Sequence, residues 1–335
     1  MRNRTLPLVL VFAACAASDA PRARLVADFV ARSEPVRCVP AAGLTARGVT
    51  VGDVVTLSDT SFLVLYPTER EVVVYGADLM PRRVVRFAAA GPVGVRDPAS
   101  AALVGDTLVY IADRGRQALR LLSVAGEDRG TIDLRFSPQR VRAVAGAVLV
   151  MPMVVARQPR HLVYRMEGTA ATPLDVPIAD IGDPVIGVLA NAAGIAVYPD
   201  GRIVVAHEMV VPYAYRLRLG SGGVERVALP LPDGIRESLE HLPPPPLTDE
   251  RIRELPVVAL SLAADAETGD LVYLTRSGRR LEDHMEKAIV RADAEFRYVR
   301  SYLLDVNAIR FAYLGSRDLS IVVDEVDQWY QCPTP

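Results

Sequence analysis

The sequence has no excess of charge of either sign. Thirty-eight basic residues stand against 40 acidic ones in 335. This removes the basic surplus that nucleic-acid binding draws on, and no block of like charge forms an interaction tail. Lysine is nearly missing. Lys287 is the only one, so the remaining basic residues are arginine, a bias that codon usage in a GC-rich genome explains more simply than a need for guanidinium chemistry. No apolar run reaches the roughly 20 residues that a membrane-spanning helix needs. Helical periodicity is scarce, and no segment alternates a strand with a long helix, which argues against a parallel α/β sheet. Neither G-x-S-x-G nor H-E-x-x-H occurs, so the common hydrolase and metalloprotease signatures are absent.

The N-terminus is built for export. Arg2 and Arg4 form a positive n-region, and Leu6–Ala14, "LPLVLVFAA", an apolar h-region. Residues 1–14 therefore read as a signal peptide. "FAAC" at 12–15 resembles a bacterial lipobox, in which Cys15 is lipidated and becomes the new N-terminus, with Phe12 in place of the usual Leu. Cleavage near 16–20 without lipidation is the alternative. Residues 15–22 are then a linker and 23–335 the folded domain. Apart from Cys15 the only cysteines are Cys38 and Cys332, an even pair that an oxidising compartment lets join.

What fills the domain is a repeat. "LVYIADRG" at 108 is nearly copied by "LVYLTRSG" at 271, and related strings begin at 63, 148, 202 and 319. The spacings of 45, 40, 54, 69 and 48 residues are those of propeller blades built from short strands. Each run has four to eight Val-, Leu-, Ile- and Tyr-rich residues bounded by Gly, Asp or Pro. The chain thus reads as an all-β, six-bladed propeller. A helical and proline-rich insertion interrupts it at about 232–256. Two short helices are expected there, at 234–242 and 249–255, the second capped by Thr248 with Asp249 and Glu250 in its first turn. The prolines at 243–246 form a stiff spacer between them. In the fifth unit, 277–287 lengthens the hinge loop. The sixth unit ends after three strands. "ARLVADFVA" at 23–31 has no partner and is expected to supply the fourth, closing the ring and bringing Cys38 to Cys332.

Residues 108–132 resemble an NHL-type blade: apolar-Asp, turn, Arg-apolar, Gly turn. The whole of 23–335 resembles the exported six-bladed β-propellers of bacteria, NHL- or TolB-like, many of them lipoproteins. That resemblance implies a fold and a place at the cell envelope, in the periplasm or on the outer surface. It implies no activity, since propellers host hydrolases, lactonases, lyases and binding modules alike.

Chemistry is expected where the hinge residues recur near the channel mouth. Five positions after each starting point stand Thr68, Asp113, Met153, His207, Arg276 and Asp324. Asp113, His207 and Asp324 are the candidate site and metal ligands, suited to Ca²⁺ through carboxylates or to Zn²⁺ with the histidine. The competing reading has Asp113 and Asp324 bonding backbone amides of their own turns. Glu208 and Glu325 point away from their neighbours if the strands continue. Asn191 and Asn307 are candidate amide ligands. His161, His241 and His284 are weaker candidates, and Trp329 and Tyr330 read as closure packing. Three functions fit: a non-enzymatic binding or scaffold module, a metal-dependent hydrolase or lactonase, or a sugar- or peptide-binding protein with 232–256 as its lid. The expected partner is an envelope protein or a small-molecule, sugar or peptide ligand. Nucleic acid is not expected, membrane contact is through the lipid alone, and the chain is expected to be a monomer.

Overall fold

The computed structural model describes residues 24–45, 50–89, 91, 94–155, 157–181, 183–220, 223–240, 242, 248, 252, 255–281 and 284–334. The expected signal peptide, Cys15 and the expected linker lie outside the described residues, as do His241, the prolines at 243–246, Asp249 and Glu250.

Six antiparallel sheets follow one another along the chain. Blade one runs from Asp53–Ser58 to Pro81–Arg86, blade two from Pro98–Val104 to Asp128–Asp133, and blade three from Pro138–Val144 to Ala170–Pro173. Blade four runs from Ala193–Val197 to Val224–Ala228, blade five from Ser261–Ala264 to Tyr298–Leu304, and blade six from Ala308–Leu314 to Trp329–Pro333. The first strand of each blade lies innermost in a six-bladed β-propeller. All six repeat units have their second strand where the pattern placed it: Ser61–Tyr66, Leu108–Asp113, Ala147–Pro152, Arg202–His207, Leu271–Arg280 and Leu319–Asp324. In blades one and three the apolar motif begins inside the strand. The residues equivalent to Asp113 are therefore Tyr66 and Pro152, not Thr68 and Met153.

Facing sheets share their cores. Between blades six and one, Phe62, Tyr66, Tyr75, Ile321 and Trp329 form one buried cluster, with the Phe62 and Trp329 rings 6.3 Å apart. Trp329 thus packs at the closure, as expected.

Closure is N-terminal, but by another segment. The outer strand of blade six is Val39–Pro40, paired with Tyr330 and Gln331. The 23–31 segment does not hold a strand throughout, because Asp28 turns left-handed at φ 52° and a helix follows at Phe29–Arg32. Phe29 is buried in the core of blades four and five. Arg24–Val26 pairs in parallel with Pro230–Pro232, and Glu34–Val36 adds a fifth, parallel strand to blade five. The N-terminal segment is thus a strap that pairs with the stretch just after blade four and covers the outer edges of blades five and six. It carries Cys38 to Cys332, and the two are joined in a disulfide with Cα atoms 4.3 Å apart.

The insertions also differ in detail. Asp233–Ile235 is a 3₁₀ turn leading into the helix Arg236–Glu240. Its base is pinned where Gly234 meets Gly278 backbone to backbone: a Cβ on Gly278, at φ +88°, would lie 2.6 Å from the Gly234 Cα. The 277–287 stretch is not a loop but an extended hairpin, with Arg280 paired to Met285. Between blades three and four the helix Pro184–Ala190, capped by the Asp183 side chain, accounts for the long third spacing.

Candidate functional site

In blades two, three, four and six antiparallel pairing sets the last residue of the second strand opposite the first of the innermost strand. Asp113 pairs with Pro98, His207 with Ala193 and Asp324 with Ala308. The three therefore lie on one face of the ring, in three different blades. Each is held by its own surroundings. The buried Asp113 carboxylate accepts from the amides of Arg96 (2.9 Å) and Asp97 (3.0 Å), in the connection entering its blade. Asp324 accepts from the amides of Val326 and Gln328 in its own turn and from the Tyr330 hydroxyl. His207 is fully buried. Its Nδ1 donates to the Ala190 carbonyl at 2.6 Å, and its ring meets those of Tyr213 and Tyr215. Burial pushes its pKa down to about 4, so it is neutral at pH 7. Among the described residues no group of three His, Cys, Asp or Glu side chains comes together to hold a metal. Asn191 is spent on Ala179 and Gly187, and His161 is half-buried on the rim beside Tyr164.

The charged centre of this face comes from residues that the hinge column does not contain. Asp53 begins the innermost strand of blade one and is 1% exposed. Arg142 of blade three donates to it twice, at 2.8 and 3.2 Å, and the Ser100 hydroxyl donates at 2.5 Å. Burial raises the Asp53 pKa, but Arg142 and Arg140 overcome it and hold the carboxyl below 3.8. Arg140 donates to the Ala193 carbonyl at 3.0 Å, bonds Glu208, and lies 3.6 Å from Asp53. Arg310 of blade six stands in the fields of Asp53, Arg140, Glu208 and Asp327, and burial pushes its pKa down.

A shared backbone device aims these side chains. The pairing slips between Pro98 and Ser100, between Pro138 and Arg140, and between Ala308 and Arg310. Each slip is a β-bulge, which redirects the residue that follows. Ser100, Arg140 and Arg310 thus occupy the same position in three blades. The signal in the sequence is the polar residue two places into the inner strand, in "PAS", "PQR" and "AIR".

On the blade five and six rim, Lys287 donates to Asn307 at 2.6 Å. Burial, with Arg276 beside it, pushes its pKa down to about 8. On the opposite face the channel opens as a cavity of about 260 Å³ lined by Val55, Leu57, Val144, Ala196 and other inner-strand residues, with Arg142 at its inner end.

Fold and site together define a class: a six-bladed β-propeller whose channel mouth is crossed by arginine–carboxylate pairs. No protein-family profile matches the chain, and no curated protein matches it in sequence. Among solved structures it is similar to a member of the DUF4221 family from Bacteroides vulgatus, with a TM-score of 0.61 at 8% identity, over 90% of this chain and 96% of that one. It is also similar to a candidate exported protein from Bacteroides fragilis, with a TM-score of 0.55 at 11% identity, over 85% and 90%. A third likeness is to regucalcin, a calcium-binding protein from Agrobacterium tumefaciens, with a TM-score of 0.52 at 13% identity, over 90% and 97%. At these identities the likeness is one of fold.

Proposed function

We propose that the chain is an exported β-propeller, held at the bacterial cell envelope by a lipid on Cys15, that acts as a non-enzymatic binding or scaffold module. The observation that carries this reading is that the polar groups best placed for chemistry are already committed to the fold. Asp113 and Asp324 hold backbone amides, His207 is neutral and enclosed, and Asp53 and Glu208 are taken by guanidinium groups. A rigid face of that kind suits recognition better than turnover. Export is supported by the signal-like N-terminus, by the disulfide and by the likeness to a candidate exported protein.

The anchor also sets an orientation. Arg24 donates to the carbonyl of Phe296, between the third and fourth strands of blade five. That connection lies on the face opposite the mouth. A lipid on Cys15 leaves eight residues before Arg24, a reach of about 30 Å. The mouth is then turned away from the membrane, toward its partner.

The alternative is a metal-dependent hydrolase or lactonase. It has the fold-level likeness to regucalcin in its favour. Against it, a divalent cation at the channel centre would have to displace Arg140 and Arg142 from their carboxylates. Native mass spectrometry of the mature protein, purified from its own membrane without chelator or reductant, tests both. We expect an acylated N-terminus at Cys15 and, where a partner is retained, an organic or protein mass. A stoichiometric metal that is lost in His207→Ala would establish the alternative instead.

A further inference from the structure

We infer that the channel mouth is an oxyanion site, in which Arg310 grips a carboxylate or phosphate group of the ligand and Arg140 adds positive charge beside it. The inference rests on the binding-module reading and names the ligand chemistry that this module takes.

Arg310 makes no hydrogen bond or ion pair among the described residues, although it is half-buried near the ring centre. The carboxylates whose fields reach it each have another partner. Asp53 takes Arg142 on both oxygens and Ser100 as well. Glu208 takes Arg140, and Asp327 caps the amide of Val51 at 3.0 Å. A guanidinium offers five donors in a planar fork that matches a carboxylate or phosphate edge. Among the described residues nothing answers that fork. A half-buried guanidinium gives up part of its hydration with no protein bond in return, and burial pushes its pKa down. Residues that cost stability and persist are characteristic of binding sites.

Geometry supplies the second arginine. Equivalent bulges put Arg140 and Arg310 at the same position in blades three and six. Lys287, bonded to Asn307 one residue ahead of the blade six inner strand, adds positive potential on the same rim. At the centre Arg140, Arg142 and Arg310 outnumber Asp53 and Glu208, which disfavours a cation there and favours an anion.

The probes are inorganic phosphate and acetate, titrated calorimetrically at low salt into the full mature chain. We expect saturable binding of at least one, weakened by added salt, and at least tenfold weaker in Arg310→Gln. Arg86→Gln, at an exposed outer-strand pair with Glu71, is expected to leave it unchanged. Arg310→Met separates a binding role from a structural one. Without ligand it should melt at the same temperature as the wild type or higher. The anion should raise the melting temperature of the wild type alone. Equal binding in Arg310→Gln, no binding of either probe, or a lower melting temperature for ligand-free Arg310→Met would each overturn the proposal. Phosphate binding tells of a phosphorylated ligand, acetate binding of a carboxylated one. Should neither bind while the native protein still carries a partner, the oxyanion site falls and the binding-module reading stands.

Discussion

Arg142 of blade three and Asp53 of blade one are joined across the channel, guanidinium to carboxylate, at 2.8 and 3.2 Å. Both are buried. The pair ties together two blades that are not neighbours in the ring and closes the channel just inside its mouth. Removing one partner of a buried pair leaves the other charge uncompensated. Asp53→Ala is therefore expected to lose about 3–5 kcal/mol of stability, whereas Asp53→Leu with Arg142→Leu should lose much less than the two single changes added together. Urea unfolding of the four proteins closes the cycle. The acid dependence follows from the same pair. The folded-state pKa of Asp53 lies below 3.8, so its stabilisation is complete above that pH and fades as pH falls toward the lower folded value. Asp53→Asn should flatten stability in that acid window and leave the neutral range parallel to the wild type.

His207 acts in a different window. Its pKa falls from 6.5 to about 4 on burial, so the unfolded chain binds the proton more readily. Stability then rises with pH between about 4 and 6.5 and is level above. The full effect is up to about 3 kcal/mol. His207→Phe should remove this slope, at the cost of the bond to Ala190. The imidazole protons of His207 should show no titration by NMR between pH 5.5 and 8. A pKa near 6.5 in that spectrum would mean that the ring is open to solvent.

The parts of this structure legible in the sequence are those written as local apolar pattern. The strings at 108 and 271 mark second strands because a run of Val, Leu, Ile and Tyr must stop at a polar turn to reverse direction. The Cys38–Cys332 bond was legible because three cysteines leave one pair once Cys15 is set aside. Closure by Val39–Pro40 was not, since a two-residue strand has no periodicity, and its place is set by the disulfide beside it and by Phe29 docking upstream. The arginine centre was hidden for a related reason. Its members are far apart in the chain, and register slips inside three inner strands, which no periodicity records, bring Ser100, Arg140 and Arg310 to one position. The hinge residues Asp113, His207 and Asp324 lie on the same face as this arginine centre, but the fold uses them for itself.

The disulfide should carry a measurable share of the ring's stability. It spans 294 residues, and the chain-entropy model gives about 5 kcal/mol for so long a loop, with measured cases often lower. Cys332→Ser should therefore melt several degrees below the wild type, and added reductant should lower the wild type to match. The outer strand of blade six should loosen first. Hydrogen exchange at Gln331, whose strand pairs with Val39, is expected to accelerate before exchange in blades two and three. Uniform acceleration across all six blades would show that the ring opens as one unit.

Asp113 separates a structural role from a catalytic one most cleanly. Its carboxylate accepts two amides of the connection into blade two, those of Arg96 and Asp97, and Gly115 lies against the same connection, where a Cβ would meet that of Arg96 at 2.9 Å. Asp113→Ala strands two N–H groups in a part-buried connection, and each unmade bond costs about 1–3 kcal/mol. A loss of about 2–4 kcal/mol is expected. Asp113→Asn keeps one carbonyl acceptor and should lose about half as much. A residue that held a ligand instead would give nearly equal stability in all three proteins and a changed affinity for whatever the mouth binds. Thermal unfolding of the three, read beside phosphate titration, makes the choice: a structural Asp113 requires the stability to fall in the order Asp, Asn, Ala while anion affinity, set by Arg310 in another blade, stays level between wild type and Asp113→Asn.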